Sequence, residues 1–99
     1  MIKVVYTYEI EQKYKDELFN KFVLSGDEKF NSDVNNTGIK MFQKIEGDKL
    51  YIVLDIYYNS LEDYYNRRDF EHSNDDWSNI WFNDNNKHKE ISVEVFECL

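Results

Sequence analysis

The chain has 99 residues, and its 20 acidic and 12 basic side chains give a formal net charge of -8 at pH 7. A chain of this length holds one core, so residues 1–99 are expected to form a single domain. Hydrophobic residues make up 41% and aromatic residues 17% of the chain, which excludes a disordered acidic polymer. The negative charge argues against nucleic acid as a partner, because contacts to a phosphate backbone require basic side chains.

Targeting segments and disulfides are not expected. No stretch approaches the roughly 20 apolar residues that cross a bilayer, and the first residues lack the apolar segment of a signal peptide. We therefore expect a cytoplasmic protein without a membrane partner. The single cysteine, Cys98, permits neither an internal disulfide nor a metal site built on paired cysteines, which agrees with a reducing compartment.

The first part of the chain changes from strand to helix to loop. β-Branched and aromatic residues alternate over residues 2–10, which predicts a first strand. Apolar side chains then recur at helical spacing from Tyr14 to Val23, which predicts a helix that ends near Gly26. Residues 27–36 are polar and have no periodic apolar positions, so they predict a surface loop.

Two alternating runs follow, over residues 39–46 and 50–58. Gly47 and Asp48 separate them, and glycine supplies the positive φ that a tight turn requires. The pattern predicts an antiparallel hairpin of strands two and three.

The last part of the chain predicts a helical region in two pieces and a fourth strand. Ser60 is placed to cap a helix, and a second set of capping residues precedes Trp77. We expect the helical region to break near Glu71 and His72 and then to resume. Residues 91–96 alternate again and predict the last strand.

The predicted order βαββαβ implies an α+β, ferredoxin-like fold. It forms a four-stranded antiparallel sheet with both helical segments on one face. A nearly aliphatic strand face is expected to form the core beneath the helices: Ile2, Val4, Ile52, Leu54, Ile56, Ile91, Val93 and Val95. The opposite face, here called the open face, mixes aromatic, aliphatic and polar side chains: Val5, Thr7, Phe42, Lys44, Tyr51, Val53, Asp55, Tyr57, Ser92, Glu94 and Phe96.

The mixed character of the open face predicts a homodimer. Two such faces packed together would close into a barrel and enclose a chamber lined by polar groups. The alternative is a monomer whose open face carries scattered apolar residues, as many protein surfaces do.

Local features of the chain resemble a known superfamily. The run from Tyr57 to Tyr65 ends a strand in aromatic residues and begins a helix at Ser60, and Asp76 later precedes Trp77. This run, together with the order of the predicted elements over nearly the whole chain, resembles the dimeric α/β barrel superfamily. That superfamily includes antibiotic-biosynthesis-monooxygenase-like and NIPSNAP-like proteins.

The resemblance implies a homodimeric α/β barrel that acts as a cofactor-independent monooxygenase-like or isomerase-like enzyme. Its substrate would be a small flat organic molecule, hydrophobic or aromatic. The first strand lacks the Asn that haem-degrading relatives use, which argues against that reaction. The alternative is a non-catalytic homodimer that binds a small ligand or another protein.

The third strand offers the candidate catalytic residues. Tyr51, Asp55 and Tyr57 share one strand face, so a carboxylate between two phenols would point into the expected chamber. A buried carboxylate needs a hydrogen bond or accepts a proton, and Thr7 on the adjacent first strand is the expected partner. In the enzyme interpretation Asp55 is the base, and Tyr57 and Thr7 orient the substrate. Thr7, Phe42 and Tyr51 contact the ligand. The alternative is an interface hydrogen bond without chemistry.

The helical region offers three further ligand-binding candidates. His72 lies at the expected helix break, where it would face the mouth of the chamber. Trp77 and Trp81 lie one helical turn apart and would grip a flat ligand, or alternatively pack the helix onto the sheet. Neither His72 nor His88 has a second ligand at metal-binding spacing, so both are expected on the solvent side and no metal site is expected. No cofactor is expected either.

Overall fold

The computed structural model describes all 99 residues as four strands and three helices with two short 3₁₀ turns. In chain order the elements are β1 (Ile2–Glu11), a 3₁₀ turn (Gln12–Tyr14), α1 (Lys15–Ser25), a 3₁₀ turn (Glu28–Phe30), β2 (Gly38–Glu46), β3 (Lys49–Tyr58), α2 (Leu61–Ser73), α3 (Asp75–Trp81) and β4 (Lys89–Glu97). The order confirms the predicted βαββαβ pattern with its second helix in two pieces. None of the helices is long and apolar enough to cross a membrane.

The strands form one antiparallel sheet in the order β2-β3-β1-β4, which confirms the predicted α+β ferredoxin-like fold. The central strands β1 and β3 pair along their whole length. A bulge interrupts the pairing of β1 with β4, because Thr7 lies opposite Ser92 whereas Tyr8 lies opposite Glu90. Ile91 is the extra residue at this bulge. The predicted core positions of Ile91, Val93 and Val95 are wrong, because they are 45%, 41% and 44% exposed on an edge strand.

Turn and cap residues fix two of the element boundaries. Gly47 has a φ of 60° in the two-residue turn between β2 and β3, a conformation that favours glycine. The predicted hairpin is therefore confirmed. The Ser60 hydroxyl accepts a hydrogen bond from the backbone N–H of Asp63 at 3.1 Å and begins α2 as predicted.

The break in the helical region lies at Asn74. Its side-chain oxygen accepts a hydrogen bond from the backbone N–H of Trp77 at 3.0 Å, so one residue ends α2 and caps α3. The predicted break near Glu71 and His72 is wrong, because both residues lie inside α2. This continuation of α2 keeps Glu71 on a regular helix that faces the sheet.

The core lies between the helices and the two central strands. Its largest fully buried side chains are Phe30, Ile10, Leu18, Leu50, Ile52 and Val4. The presence of Phe30 contradicts the surface loop predicted for residues 27–36. A 3₁₀ turn brings its ring against that of Trp77, with centroids 5.1 Å apart, and leaves it 2% exposed.

Helix α1 packs on a narrower face than its sequence predicts. Leu18 is buried and Phe19 and Phe22 pack against the core, whereas Val23 is 75% exposed. Val23 was expected on the apolar face, and that expectation is wrong. The helix contacts the sheet through one edge of its apolar stripe only.

The helix-facing side of the sheet is not fully covered. Helices lie over β1 and β3, whereas Met41 on β2 and Val93 on β4 remain 45% and 41% exposed on the same side of the sheet. The short helices therefore leave a cleft between themselves and the apolar side chains of the edge strands.

Candidate functional site

A cavity of about 700 Å³ lies in this cleft, between the helices and the sheet. Its volume is in the range of small-molecule sites. All four strands and all three helices contribute side chains to it. Its aromatic lining residues are Tyr6, Tyr8, Phe22, Phe30, Tyr58, Tyr64, Tyr65, Trp77, Trp81 and Phe82.

Flat aromatic surfaces form part of the cavity wall. The rings of Tyr6 and Tyr8 are nearly parallel, at 5° with centroids 6.3 Å apart, because residues two apart on a strand point to the same face. Trp81 stacks on Tyr8 at 5.6 Å and lies 6.4 Å from Trp77. Such surfaces favour planar apolar ligands.

A polar cluster interrupts the aromatic wall where α2 crosses the sheet. Tyr64, Arg67 and Glu71 are spaced i, i+3 and i+7, so one helix face presents all three to the sheet. Tyr6 and Tyr58 face them from β1 and β3. We call these five residues the Tyr-Arg-Glu cluster.

Arg67 anchors this cluster. Its side chain is 5% exposed, and its Nε donates a hydrogen bond to Oε2 of Glu71 at 2.9 Å. The terminal nitrogen donates to the carbonyl oxygen of Phe30 at 2.6 Å and to the hydroxyl of Ser32 at 3.0 Å. A buried cation with this many partners is a fixed part of the structure.

Glu71 keeps one carboxylate oxygen available. Arg67 binds Oε2, whereas Oε1 has no hydrogen-bond partner and is not sealed from the cavity. Burial raises the pKa of Glu71 above its usual value, against the opposing effect of the Arg67 guanidinium. The carboxyl group therefore holds its proton to a higher pH than an exposed carboxyl group, and the free oxygen is suited to accept a proton.

Tyr6 and Tyr58, which face Glu71 from the sheet, stay protonated. Burial is the largest effect that raises the pKa of Tyr6, and the hydrogen bond with Tyr64 raises it further. Burial and the charge of Glu71 raise the pKa of Tyr58. These hydroxyls consequently act as hydrogen-bond donors and not as bases.

Three of the residues singled out from the sequence line this cavity, namely His72, Trp77 and Trp81. His72 is exposed, and its ring lies 4.8 Å from that of Phe82. Trp77 and Trp81 are partly buried and also pack against the core. They therefore pack the helix onto the sheet and line the cavity at the same time.

The other five residues, Thr7, Phe42, Tyr51, Asp55 and Tyr57, lie together on the open face and outside the cavity. The ion-pair partner of Asp55 is Lys3, at 3.8 Å, and not the expected Thr7. Lysines on the neighbouring strand cover the two tyrosines: Lys44 lies 5.2 Å from the ring of Tyr51 and Lys40 lies 5.9 Å from that of Tyr57. Catalytic roles for Asp55 and Tyr57 stay a prediction.

His88 is not on the solvent side, contrary to expectation. Its ring packs edge-on against Tyr8 at 5.6 Å and Trp81 at 5.4 Å, beside a second cavity of about 60 Å³. Its Nδ1 is buried without a hydrogen-bond partner, and burial lowers its pKa. No group of three or more His, Cys, Asp or Glu side chains is arranged to hold a metal ion.

Sequence reasoning missed the Tyr-Arg-Glu cluster. A signal for it exists, because Arg67 and Glu71 fall on the same helix stripe as Tyr64, where apolar residues are expected. Charged residues in such a stripe are buried only with partners, which marks them as candidates for a site.

Comparisons with known proteins bear on the fold. No family model matches the chain, and no curated protein matches its sequence. One similar solved structure is an arginine-to-serine mutant of MhuD with two manganese protoporphyrin IX molecules bound per active site. The TM-score is 0.68 and the sequence identity is 15%, and the alignment covers 100% of this chain and 95% of the MhuD chain.

Two further solved structures have the same fold. An uncharacterized NIPSNAP-like domain protein from Burkholderia xenovorans has a TM-score of 0.56 and 15% identity, with coverage of 95% of this chain and 81% of its own. The de novo designed protein Foldit4 has a TM-score of 0.59 and 9% identity, with coverage of 99% and 98%. Because a designed protein is among them, the fold alone assigns no activity. These likenesses show that the chain shares the α+β ferredoxin-like fold of the MhuD structure and of the NIPSNAP-like domain protein.

Proposed function

We propose that this chain binds a flat, largely apolar organic molecule in the cavity between its helices and its sheet. The observation that carries the proposal is the aromatic wall formed by Tyr6, Tyr8 and Trp81 in a cavity of about 700 Å³. The rings of Tyr6 and Tyr8 are parallel within 5°, and Trp81 is tilted from Tyr8 by 28°, so the wall offers a planar ligand a nearly flat surface. Arg68 and His72 are exposed and line the same cavity, so a ligand carboxylate has hydrogen-bond donors within the site.

A porphyrin is a suitable first probe. The MhuD structure of the same fold contains manganese protoporphyrin IX. A planar macrocycle with carboxylate groups suits the chemistry of this lining, with aromatic rings for its faces and Arg68 for a carboxylate. Smaller planar molecules suit the same surface.

The expected chemistry is monooxygenase-like or isomerase-like without a cofactor. Both reactions need a group that moves a proton, and Glu71 with its unbound Oε1 supports this interpretation. The alternative is a non-catalytic domain that uses the same cavity for binding.

Binding is tested by titrating the protein with protoporphyrin IX while following its absorbance. We expect saturable binding that quenches the fluorescence of Trp77 and Trp81, the two tryptophans of the chain. Met41→Trp fills the cavity and should weaken binding about 10-fold or more. Ile45→Trp is the matched control, because Ile45 is exposed on the same face of β2 but lies outside the cavity. Equal binding by both variants would contradict the proposed site.

We also propose that two copies of the chain pair through their open faces. Phe42 and Phe96 are 52% and 46% exposed there. Val5 and Val53 lie between them on the central strands, so the apolar surface crosses the sheet. If the faces pair, Asp55 and Tyr57 lie at the interface.

Sedimentation at low micromolar concentration tests the pairing. We expect twice the chain mass of 12.1 kDa. Phe42→Lys should yield the monomer by placing a charge in the interface, whereas Leu24→Lys, at a similarly exposed position on α1, should leave the dimer intact. A monomeric wild-type protein would refute the pairing.

A further inference from the structure

We infer that Glu71 is a catalytic proton acceptor and that the cavity takes a planar carbonyl compound with an acidic C–H bond, whose keto and enol forms it interconverts. This inference rests on the proposed ligand cavity and names the substrate class and the reacting group within it.

The position of Glu71 supports the role of base. Arg67 fixes the carboxylate through Oε2 at 2.9 Å, and the Arg67 guanidinium is itself held by Phe30 and Ser32. The other oxygen, Oε1, therefore has a defined direction, and Arg67 on Oε2 is the only hydrogen-bond partner of the carboxylate. The side chain is 20% exposed, so the carboxylate is partly desolvated but can still exchange an acquired proton with solvent.

The neighbouring tyrosines supply the complementary donors. Tyr6 on β1 and Tyr58 on β3 lie within range of the charge of Glu71, and Tyr64 lies two turns earlier on the same face of α2. All three line the cavity. Because burial keeps Tyr6 and Tyr58 protonated, a hydroxyl of this cluster can donate to an oxygen that becomes negative in the transition state. A fixed acceptor and neutral donors on one cavity wall are the arrangement that enolisation requires.

The reaction involves one proton and no oxidant. The C–H bond next to the carbonyl breaks, the proton goes to Oε1 of Glu71, and the electron pair remains on the ligand as an enolate. A tyrosine O–H stabilises the enolate oxygen. Glu71 then returns the proton to the enolate oxygen or to a carbon atom, so the carboxylate is regenerated.

Hydrogen exchange of β-tetralone, a flat enolisable ketone, tests the inference. In D₂O, proton NMR follows the loss of the signal of its acidic C–H. The wild-type protein should speed this loss about 100-fold over buffer, and Glu71→Gln should return it to the buffer rate. Tyr6→Phe should slow the catalysed exchange about 10-fold. Glu17→Gln, an exposed carboxylate on α1, is the control and should keep the wild-type rate.

Binding of β-tetralone, measured in parallel by tryptophan fluorescence, separates the two proposals. Binding by both proteins with exchange catalysed by the wild type alone supports the role of Glu71. Binding without faster exchange, or equal exchange by Glu71→Gln, overturns that role and leaves the cavity proposal intact. The absence of both β-tetralone and protoporphyrin IX binding overturns the cavity proposal and the inference with it.

The pH profile of the wild-type protein gives a readout that needs no variant. The catalysed rate, corrected for the buffer, should rise as Glu71 loses its proton, with a midpoint above the ordinary carboxyl pKa of 4.5. Tyr6, Tyr8 and Tyr58 stay neutral over this range. The charged or basic side chains that also line the cavity are Asp27, Arg67, Arg68, His72 and Glu90. Repeating the profile with His72→Gln removes the histidine that α2 places at the cavity. A rate independent of pH would overturn the inference.

Discussion

Arg67 joins three parts of the fold with one side chain. It lies on α2, binds Glu71 one turn later, and donates hydrogen bonds to Phe30 and Ser32 in the segment before β2. Its removal would leave a buried carboxylate and a buried carbonyl oxygen without their donors. Breaking such a buried pair is costly, because the remaining charge loses its partner but stays out of water.

Replacing Arg67 by Met should lower the free energy of unfolding by about 3 kcal/mol. Arg68→Met, at the next and exposed position, should change it by no more than about 0.5 kcal/mol. The pKa of Glu71 in the folded protein lies above its unfolded value of 4.5. The free energy of unfolding lost by Arg67→Met should therefore grow as the pH rises from 4.5, because Glu71 becomes charged, and shrink when the carboxyl group is protonated. Urea unfolding at several pH values measures this, and equal losses for the two variants would contradict the role of Arg67.

The sequence alone could not identify this network. Arg67 and Phe30 are 37 positions apart, and no local pattern in either segment indicates that they form a hydrogen bond. His88 was missed for the same reason, because its burial depends on Tyr8 and Trp81 from other elements. Burial of a polar residue is decided by its partners in space, which periodicity does not reveal.

At the scale of elements, local chemistry was sufficient to predict the order and most boundaries. Alternation identified all four strands, Gly47 identified the hairpin and Ser60 the start of α2. The 3₁₀ turn Glu28–Phe30 was missed, because a single buried Phe in a polar segment has no period.

The sequence also separated the two faces of the sheet correctly except at the bulge residue Ile91, yet the cavity was expected on the open face. Strand alternation reveals which side chains share a face, but not how far the helices cover that face. Here the three short helices leave Met41 and Val93 exposed at the edges, and the cavity lies between them. The chamber predicted between two subunits concerns an assembly of two chains and stays a prediction.

In the whole molecule, the two sides of the sheet are proposed to have different functions. Ligand binding and proton transfer belong to the helix-facing side, where the Tyr-Arg-Glu cluster lies. Pairing of two copies belongs to the open face, where Phe42 and Phe96 are exposed. The strands between them are shared, since neighbouring residues of β1 and β3 point to opposite sides.

The location of a bound ligand tests this division most directly. NMR spectra of isotope-labelled protein, recorded during titration with protoporphyrin IX, report each side of the sheet separately. Trp77 and Trp81 give the indole N–H signals of the chain, and both line the cavity. We predict that these signals shift most, while the amide signals of Asp55 and Tyr57 move little. Shifts concentrated at Asp55 and Tyr57, with unchanged indole signals, would contradict the account.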